Sequence, residues 1–181
     1  GIPQDFSEAA YWYRMAAEHG NSQAQAFLGY FYDHGLGTPQ DSVEAAKWYR
    51  LAADQGDAVM QFNLGLMYAK GQGVPQNYEE AARWYQKSAA QGYDKALYNL
   101  GNLLLAKNLA GEALKTFDAA LLTDPGQPRL HFARGLALAG LNRMADAVVA
   151  FRSTVTIEPY NAAAHGHLGP LSLDCCGRRE G

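Results

Sequence analysis

Apolar residues recur along this chain in the rhythm of a helix. Ala45, Trp48, Tyr49, Ala52 and Ala53 stand three and one residues apart, a spacing that lines one face of a helix with 3.6 residues per turn. Comparable stripes, opened by an acid or amide and closed by a glycine, predict helices over roughly 5–19, 23–34, 41–55, 59–70, 77–91, 95–107, 110–123, 128–140, 143–157 and 162–168. Helices of this length cannot bury an apolar stripe alone, so they must pack against one another.

The stripes are copies. Gly1-Ile-Pro-Gln-Asp5 returns as Gly37-Thr-Pro-Gln-Asp41 and Gly73-Val-Pro-Gln-Asn77, each 36 residues after the last. Glu8, Glu44 and Glu80 keep that step, as do Trp12-Tyr13, Trp48-Tyr49 and Trp84-Tyr85, then Gly20, Gly56 and Gly92. Leu28-Gly29, Leu64-Gly65 and Leu100-Gly101 follow it too. Beyond Gly101 the step shortens: Gly135 and Gly169 lie at intervals of 34, and Ala113, Phe117, Ala120 and Pro125 recur as Ala147, Phe151, Thr154 and Pro159.

Each copy encodes a helix pair. Asp5…Glu8, Asp41…Glu44 and Asn77…Glu80 predict capping boxes, in which the first side chain accepts an orphan amide and the glutamate reaches back. Gly56 supplies the left-handed residue that ends a helix. A glycine inside a helix costs about 1 kcal/mol against alanine, so the marker glycines at 29, 65, 101, 135 and 169 predict close helix contact. The helix that carries Trp-Tyr is expected to turn those rings into the core. Counting between markers, the first kind of repeat holds four more residues within the pair and two fewer between pairs than the second.

These residues carry a resemblance. Leu-Gly, Gly-x-Gly, the capped Ala-Ala, Trp-Tyr and the closing glycine resemble Sel1-like repeats over residues 1–101. Leu100, Gly101, Ala113, Phe117 and Pro125 resemble tetratricopeptide (TPR) repeats, over 102–169. The resemblance implies an all-α fold, a right-handed α-α superhelix or solenoid of about ten helices in antiparallel pairs, continuous through both kinds of repeat. Residues 170–181 match no repeat and are expected to be an irregular tail, because Pro170 falls where a helix should continue. Gly1 opens a repeat and helix 5–19 lacks its pair partner, so the chain reads as a piece of a longer one. Uncapped solenoid ends imply self-association.

Composition narrows the work such a fold does. Fifteen basic residues face 18 acidic ones; the first 92 residues carry a net charge of about −4 and the rest about +1, with no cluster of Lys and Arg suited to phosphates. No apolar run approaches the ~20 residues of a membrane span. Cys175 and Cys176 are neighbours, which excludes a disulfide framework and a CxxC site, and they read as free thiols. That leans the compartment toward the cytoplasm, with no targeting segment to fix it.

Chemistry is sparse. The chain has no Walker loop, dinucleotide fingerprint or G-x-S-x-G elbow, so no cofactor and no catalytic residue is expected. Gly35-Leu-Gly37 and Gly71-Gln-Gly73 read as turns rather than a phosphate cradle. His165 and His167 point about 200° apart on a helix and cannot share a metal. Asp33-His34 lacks a nucleophile and reads as solvated surface.

A binding role follows from the resemblance instead. In these families the Leu-Gly helix lines the concave groove. Carried over, the groove would hold Ala26, Phe27, Tyr30 and Asp33; Phe62, Asn63, Leu66 and Ala69; Lys95, Tyr98, Asn99, Asn102 and Leu105; Arg129, Phe132, Ala133 and Leu136. Asparagines offer a donor and an acceptor to a ligand backbone, and Tyr30, Phe62, Tyr98 and Phe132 either supply pockets or pack between helices. Asn63 and Lys95 match the carboxylate clamp of chaperone-binding TPR domains, but Ala26, Tyr30 and Asn99 depart from it, so that clamp is rejected. The expectation is a non-enzymatic adaptor that docks a protein or extended peptide. The alternatives are RNA binding by helical repeats and a bacterial β-lactam-binding or hydrolase relative, whose regular cysteine pairs are missing here.

Overall fold

The computed structural model describes residues 5–176, with side chains through 169; the repeat opening at 1–4 and the tail at 177–181 lie outside the described residues, as do the thiols of Cys175 and Cys176. Ten helices and no strand occur among the described residues: α1 (Phe6–Glu18), α2 (Ser22–His34), α3 (Ser42–Asp54), α4 (Ala58–Lys70), α5 (Tyr78–Ala89), α6 (Asp94–Ala106), α7 (Ala110–Thr123), α8 (Pro128–Gly140), α9 (Met144–Ile157) and α10 (Ala162–Cys176). The chain forms two compact units, 1–96 and 97–181, with the division inside α6.

In the first unit, α2 packs most intimately on α3, and α4 on α5. The marker glycines explain why. A Cβ on Gly29 would lie 2.5 Å from the Tyr49 ring, and one on Gly65 would lie 2.7 Å from the Tyr85 ring. The expected close contact is therefore a glycine notch filled by an aromatic ring. Around it Leu28, Ala45, Ala52 and Leu64 are wholly buried.

The second unit repeats the device with phenylalanine. A Cβ on Gly101 would meet the Phe117 ring at 2.4 Å, and one on Gly135 the Phe151 ring at 2.6 Å. Gly169 breaks the series, since nothing lies within 4 Å of its Cβ position. Its place in the sequence is that of a marker, but no following helix of the described chain supplies a ring.

The loops account for the change of period. Within a pair, residues 35–41 and 71–77 join the helices in the first unit, whereas residues 107–109 and 141–143 suffice in the second. The second unit recovers part of the difference with longer helices and inter-pair turns. In the long loop, Gly35 (φ +67°) and Gly71 (φ +69°) close α2 and α4 in the left-handed region. Gly73 (φ +68°) then passes so near α3 that a Cβ would fall 1.9 Å from the Ser42 carbonyl oxygen. In the short loops, Asn108 (φ 60°) and Asn142 (φ 59°) adopt the left-handed conformation instead, the non-glycine residue that tolerates it best.

Four expectations need correction. Asp5, Asp41 and Asn77 do cap α1, α3 and α5 by accepting backbone amides, but the glutamates turn forward rather than back. Glu8 accepts from the Trp12 indole, Glu44 pairs with Lys47 and Glu80 with Arg83; a flexible carboxylate on an open face finds a cation or N–H one turn on. Trp12 is 61% exposed and not core, whereas Trp84 is 5% exposed; no helix of the described chain packs over α1 on that side. Ala133, expected in the groove, is buried at 3% because it sits within the α7–α8–α9 core. Finally, α10 runs through Pro170 to Cys176. Proline removes one amide and bends a helix, but the residues after it keep their own donors.

Candidate functional site

The Leu-Gly helices hold their outward side chains by what they bury inward. In the first unit Leu28, Phe31 and Tyr32 of α2 and Leu64 and Met67 of α4 face the core. This register leaves Tyr30 and Asp33 on one helix, and Asn63 and Leu66 on the next, toward a common recess of about 250 Å³. His34, Tyr49, Met67, Lys70 and Gln72 complete its wall. Four of the expected groove residues are thus brought together.

Asp33 is held in place from both directions. Its Oδ1 accepts from Gln72 Nε2 at 3.0 Å, across the repeat boundary. Its backbone carbonyl accepts from Gln40 Nε2 at 2.7 Å. Oδ2 lies 3.9 Å from His34 Nδ1, a nitrogen that is itself 3.0 Å from the Tyr30 carbonyl. The His34 ring stacks on Tyr30 with centroids 4.0 Å apart. At the floor, burial pushes the Tyr49 hydroxyl well above the ordinary tyrosine range, and the negative charge of Asp33 adds to the effect.

Phe62 is not in this recess. It packs between Tyr85 (5.8 Å) and Tyr93 (5.1 Å), so of its two expected roles it takes packing. Lys95 is exposed, with its ammonium 6.0 Å from the Tyr93 ring.

In the second unit Tyr98, Arg129 and Phe132 line a separate recess of about 370 Å³, with Asp124, Gln127, Glu158 and Asn161. Arg129 stands over the Tyr98 ring at 5.0 Å and donates from Nε to Gln127 Oε1 at 2.6 Å. Gln127 passes the bond on to Asp124 at 2.6 Å, and Asn161 donates to Glu158 at 2.7 Å. The acids here are already partnered. Phe132 also packs on Phe151 (5.5 Å) and His167 (5.6 Å). Asn99 and Asn102, one turn apart on α6, are half-buried, and neither recess includes them.

A polar ladder escaped the sequence reading. Gln25 Nε2 donates to the Ala17 carbonyl (3.1 Å) and its Oε1 accepts from Gln55 (2.7 Å). Gln61 repeats this with Ala53 (3.0 Å) and Gln91 (2.8 Å). Arg14 donates to the Tyr32 hydroxyl and Arg50 to that of Tyr68. All of these recur at a step of 36, which was the available signal. Trp48 and Trp84 bury indole N–H groups with no partner among the described residues. Nor do those residues offer any group of three His, Cys, Asp or Glu able to hold a metal ion, or a helix long and apolar enough to cross a membrane.

The stacked pairs, the glycine notches and the outward-facing Leu-Gly helices define a helical-repeat protein of the Sel1/TPR solenoid class. The Sel1 repeat model matches residues 1–21, 22–57 and 58–93, and the chain belongs to that family. A tetratricopeptide repeat model matches 98–162. Among solved structures, a protective antigen of uropathogenic Escherichia coli strains with an SLR fold is 28% identical (TM-score 0.76), covering 97% of this chain and 38% of the antigen. The chain thus spans well under half the length of that relative. A Sel1 repeat protein from Oxalobacter formigenes is 29% identical (TM-score 0.69) over 98% of this chain and 74% of its own. YrrB, a TPR protein with an unusual peptide-binding site, shares the fold at 19% identity (TM-score 0.74), covering 92% and 85% of the two chains. No curated protein matches the chain. Such repeat families are typically protein–protein interaction scaffolds and generally not enzymes.

Proposed function

We propose that this chain is a non-enzymatic adaptor that docks a protein or extended peptide along its Leu-Gly helices. The observation that carries the reading is unspent polar capacity on those helices. Asn99 and Asn102 make no side-chain hydrogen bond among the described residues, and Asn63 reaches only the Met60 sulfur, at 4.0 Å. All three are half-buried, where an amide that water only partly serves gains from a partner. Tyr30 shares the first-unit recess with Asn63, and Tyr98, beside Asn99 in the chain, lines the second-unit recess with Phe132. YrrB adds precedent for a peptide-binding site on this fold.

The test is a displayed random-peptide library panned on the full chain, with recovered peptides titrated against Asn63→Ala and Asn99→Ala. Each substitution should weaken binding by ~1–3 kcal/mol while leaving the melting curve in place. Tyr98→Ala is a poorer probe, because Tyr98 packs on Phe117 and the second core. Peptides that bind both asparagine variants as tightly as the parent would place the docking surface elsewhere.

A further inference from the structure

The first-unit recess carries a feature that the repeat does not need. Gln40 and Gln76 occupy the same place one repeat apart, and each donates to the backbone carbonyl at the end of the Leu-Gly helix: Gln40 to Asp33 (2.7 Å), Gln76 to Ala69 (2.9 Å). The turn is therefore closed by the carbonyl whether the side chain is a carboxylate or a methyl. Asp33 is extra to the scaffold, and yet it is held: Gln72 fixes Oδ1 at 3.0 Å. Oδ2 has no hydrogen-bond donor among the described residues; His34 Nδ1 stands 3.9 Å away and faces the Tyr30 carbonyl.

We propose that this recess takes a basic side chain, an arginine or lysine of the docked peptide, with its cation on Asp33 Oδ2, the Tyr30 ring as wall and Tyr49 as floor. The inference rests on the peptide-docking reading above and specifies the ligand at one of its positions. Three features favour a cation. The carboxylate is pre-positioned and only 22% exposed, so a charge-assisted bond there is less screened than on an open face. Tyr30 stacks one face on His34 but stays half-exposed, and a tyrosine ring attracts guanidinium and ammonium groups; the buried Tyr49 supplies only floor. A recess of about 250 Å³ is the scale of one long side chain. Exposed Lys70 is the other charge on the wall; it opposes a cation beside itself and favours a carbonyl or carboxylate of the same peptide there. The wall thus fixes a polarity as well as a residue type.

The experiment uses peptides recovered from the displayed library on the full chain. Those that engage the first unit should share an Arg or Lys whose replacement by citrulline or norleucine weakens binding about tenfold. Asp33→Asn should weaken the parent peptide by the same factor, add nothing to the loss of the neutral peptide, and leave the melting temperature unchanged, as Ala69 anticipates. Asp33→Lys should shift the recovered pool toward acidic residues. Recovered peptides that bind Asp33→Asn as well as wild type, or that tolerate neutralisation of every basic residue, overturn the assignment while the docking reading stands. Recovery of no binding peptide removes both.

Discussion

The two units build the same helix pair by different chemistry. Both seat an aromatic ring in a glycine notch, but the first uses Tyr49 and Tyr85 and the second Phe117 and Phe151. The first caps α1 to α5 with Asp or Asn side chains, while α7, α8 and α9 begin at Leu109, Gln127 and Arg143 with no side-chain cap, and in the second unit Asn161 caps α10 by accepting from the Ala164 amide. The first threads buried glutamines between repeats; the second core is aliphatic and aromatic, with Thr154 as its buried hydroxyl. The geometry of the notch is common, as is a buried hydroxyl three residues after one ring of each unit, Ser88 donating to the Ala58 carbonyl and Thr154 to that of Pro128. The comparison teaches that a helix pair is specified by one close approach, and that caps, loops and polar ladders are interchangeable means of holding the rest.

The sharpest way to break that comparison is at the long loop, which the second unit lacks. Gly73→Ala places a Cβ 1.9 Å from the Ser42 carbonyl oxygen in a left-handed conformation, against the Ser42–Val43 peptide and no flexible side chain that could yield. A loss of about 4 kcal/mol is expected in urea unfolding. Gly92→Ala shares the positive φ but opens into free space, and should lose only about 1 kcal/mol. All three tryptophans lie in the first unit, so their fluorescence reports it alone. Equal losses for the two variants would mean that the loop does not approach α3 as described.

The glutamine ladder is the next difference. Leu97 stands one repeat after Gln61 and packs against the second core. Gln61→Leu therefore imports the second unit's solution into the first. It removes the buried bond to the Ala53 carbonyl, which keeps the Gly56 N–H, and returns the exposed Gln91 amide to water; about 1 kcal/mol should be lost. Gln91→Ala strands the buried Gln61 Oε1 and should lose about 2 kcal/mol. A stabilised Gln61→Leu variant would show that the ladder is ornament.

Most of this fold was legible because repetition multiplies weak signals. A single glycine is uninformative, but markers at steps of 36 and 34 locate every notch, at 29, 65, 101 and 135. The spacing arithmetic put four extra residues within each pair of the first kind, and the loop at 35–41 holds them. What escaped depended on direction. Sequence places Glu44 one turn from both Asp41 and Lys47, and only packing decides which it meets. Ala133 and Phe132 are neighbours in sequence, yet one is core and the other lines a recess. The groove residues were half legible: offsets from the marker glycine gathered Tyr30, Asp33, Asn63 and Leu66, but could not show that Gln72 would reach across a repeat to orient one of them.

Tyrosine against phenylalanine in the notch gives a pH test. Burial pushes the Tyr85 hydroxyl up to about 12, against about 10 in an unfolded chain. Below pH 10 both states are protonated and the contribution is intact. As pH rises from 10 to 12 the unfolded state ionises first, so stability falls, by about 1 kcal/mol near pH 11. Tyr85→Phe, which copies the second unit, should unfold with a shallower alkaline limb. Identical limbs for variant and parent would mean that Tyr85 ionises as freely when folded.

Caps give the smallest effect and the cleanest separation of causes. Asp57 accepts from the amides of Val59 (2.9 Å) and Met60 (3.0 Å) and places a negative charge at the start of α4. Asp57→Ala removes bond and charge together, for about 1 kcal/mol. Asp57→Asn keeps an acceptor and drops the charge, so only about 0.3 kcal/mol should go, and less in high salt. Gln127→Ala at the matching place before α8 removes no cap bond, only the side-chain links to Asp124 and Arg129 near the surface. Pro128 has no amide to satisfy and arrives with its φ already helical, so the change should lie within about 0.5 kcal/mol of zero. The order Asp57→Ala, Asp57→Asn, Gln127→Ala is the content of the claim. If Gln127→Ala matched Asp57→Ala, the bonds of Gln127 to Asp124 and Arg129 would hold the start of α8 as firmly as a cap, and the contrast between the Asp57 cap and the Pro128 start would fail.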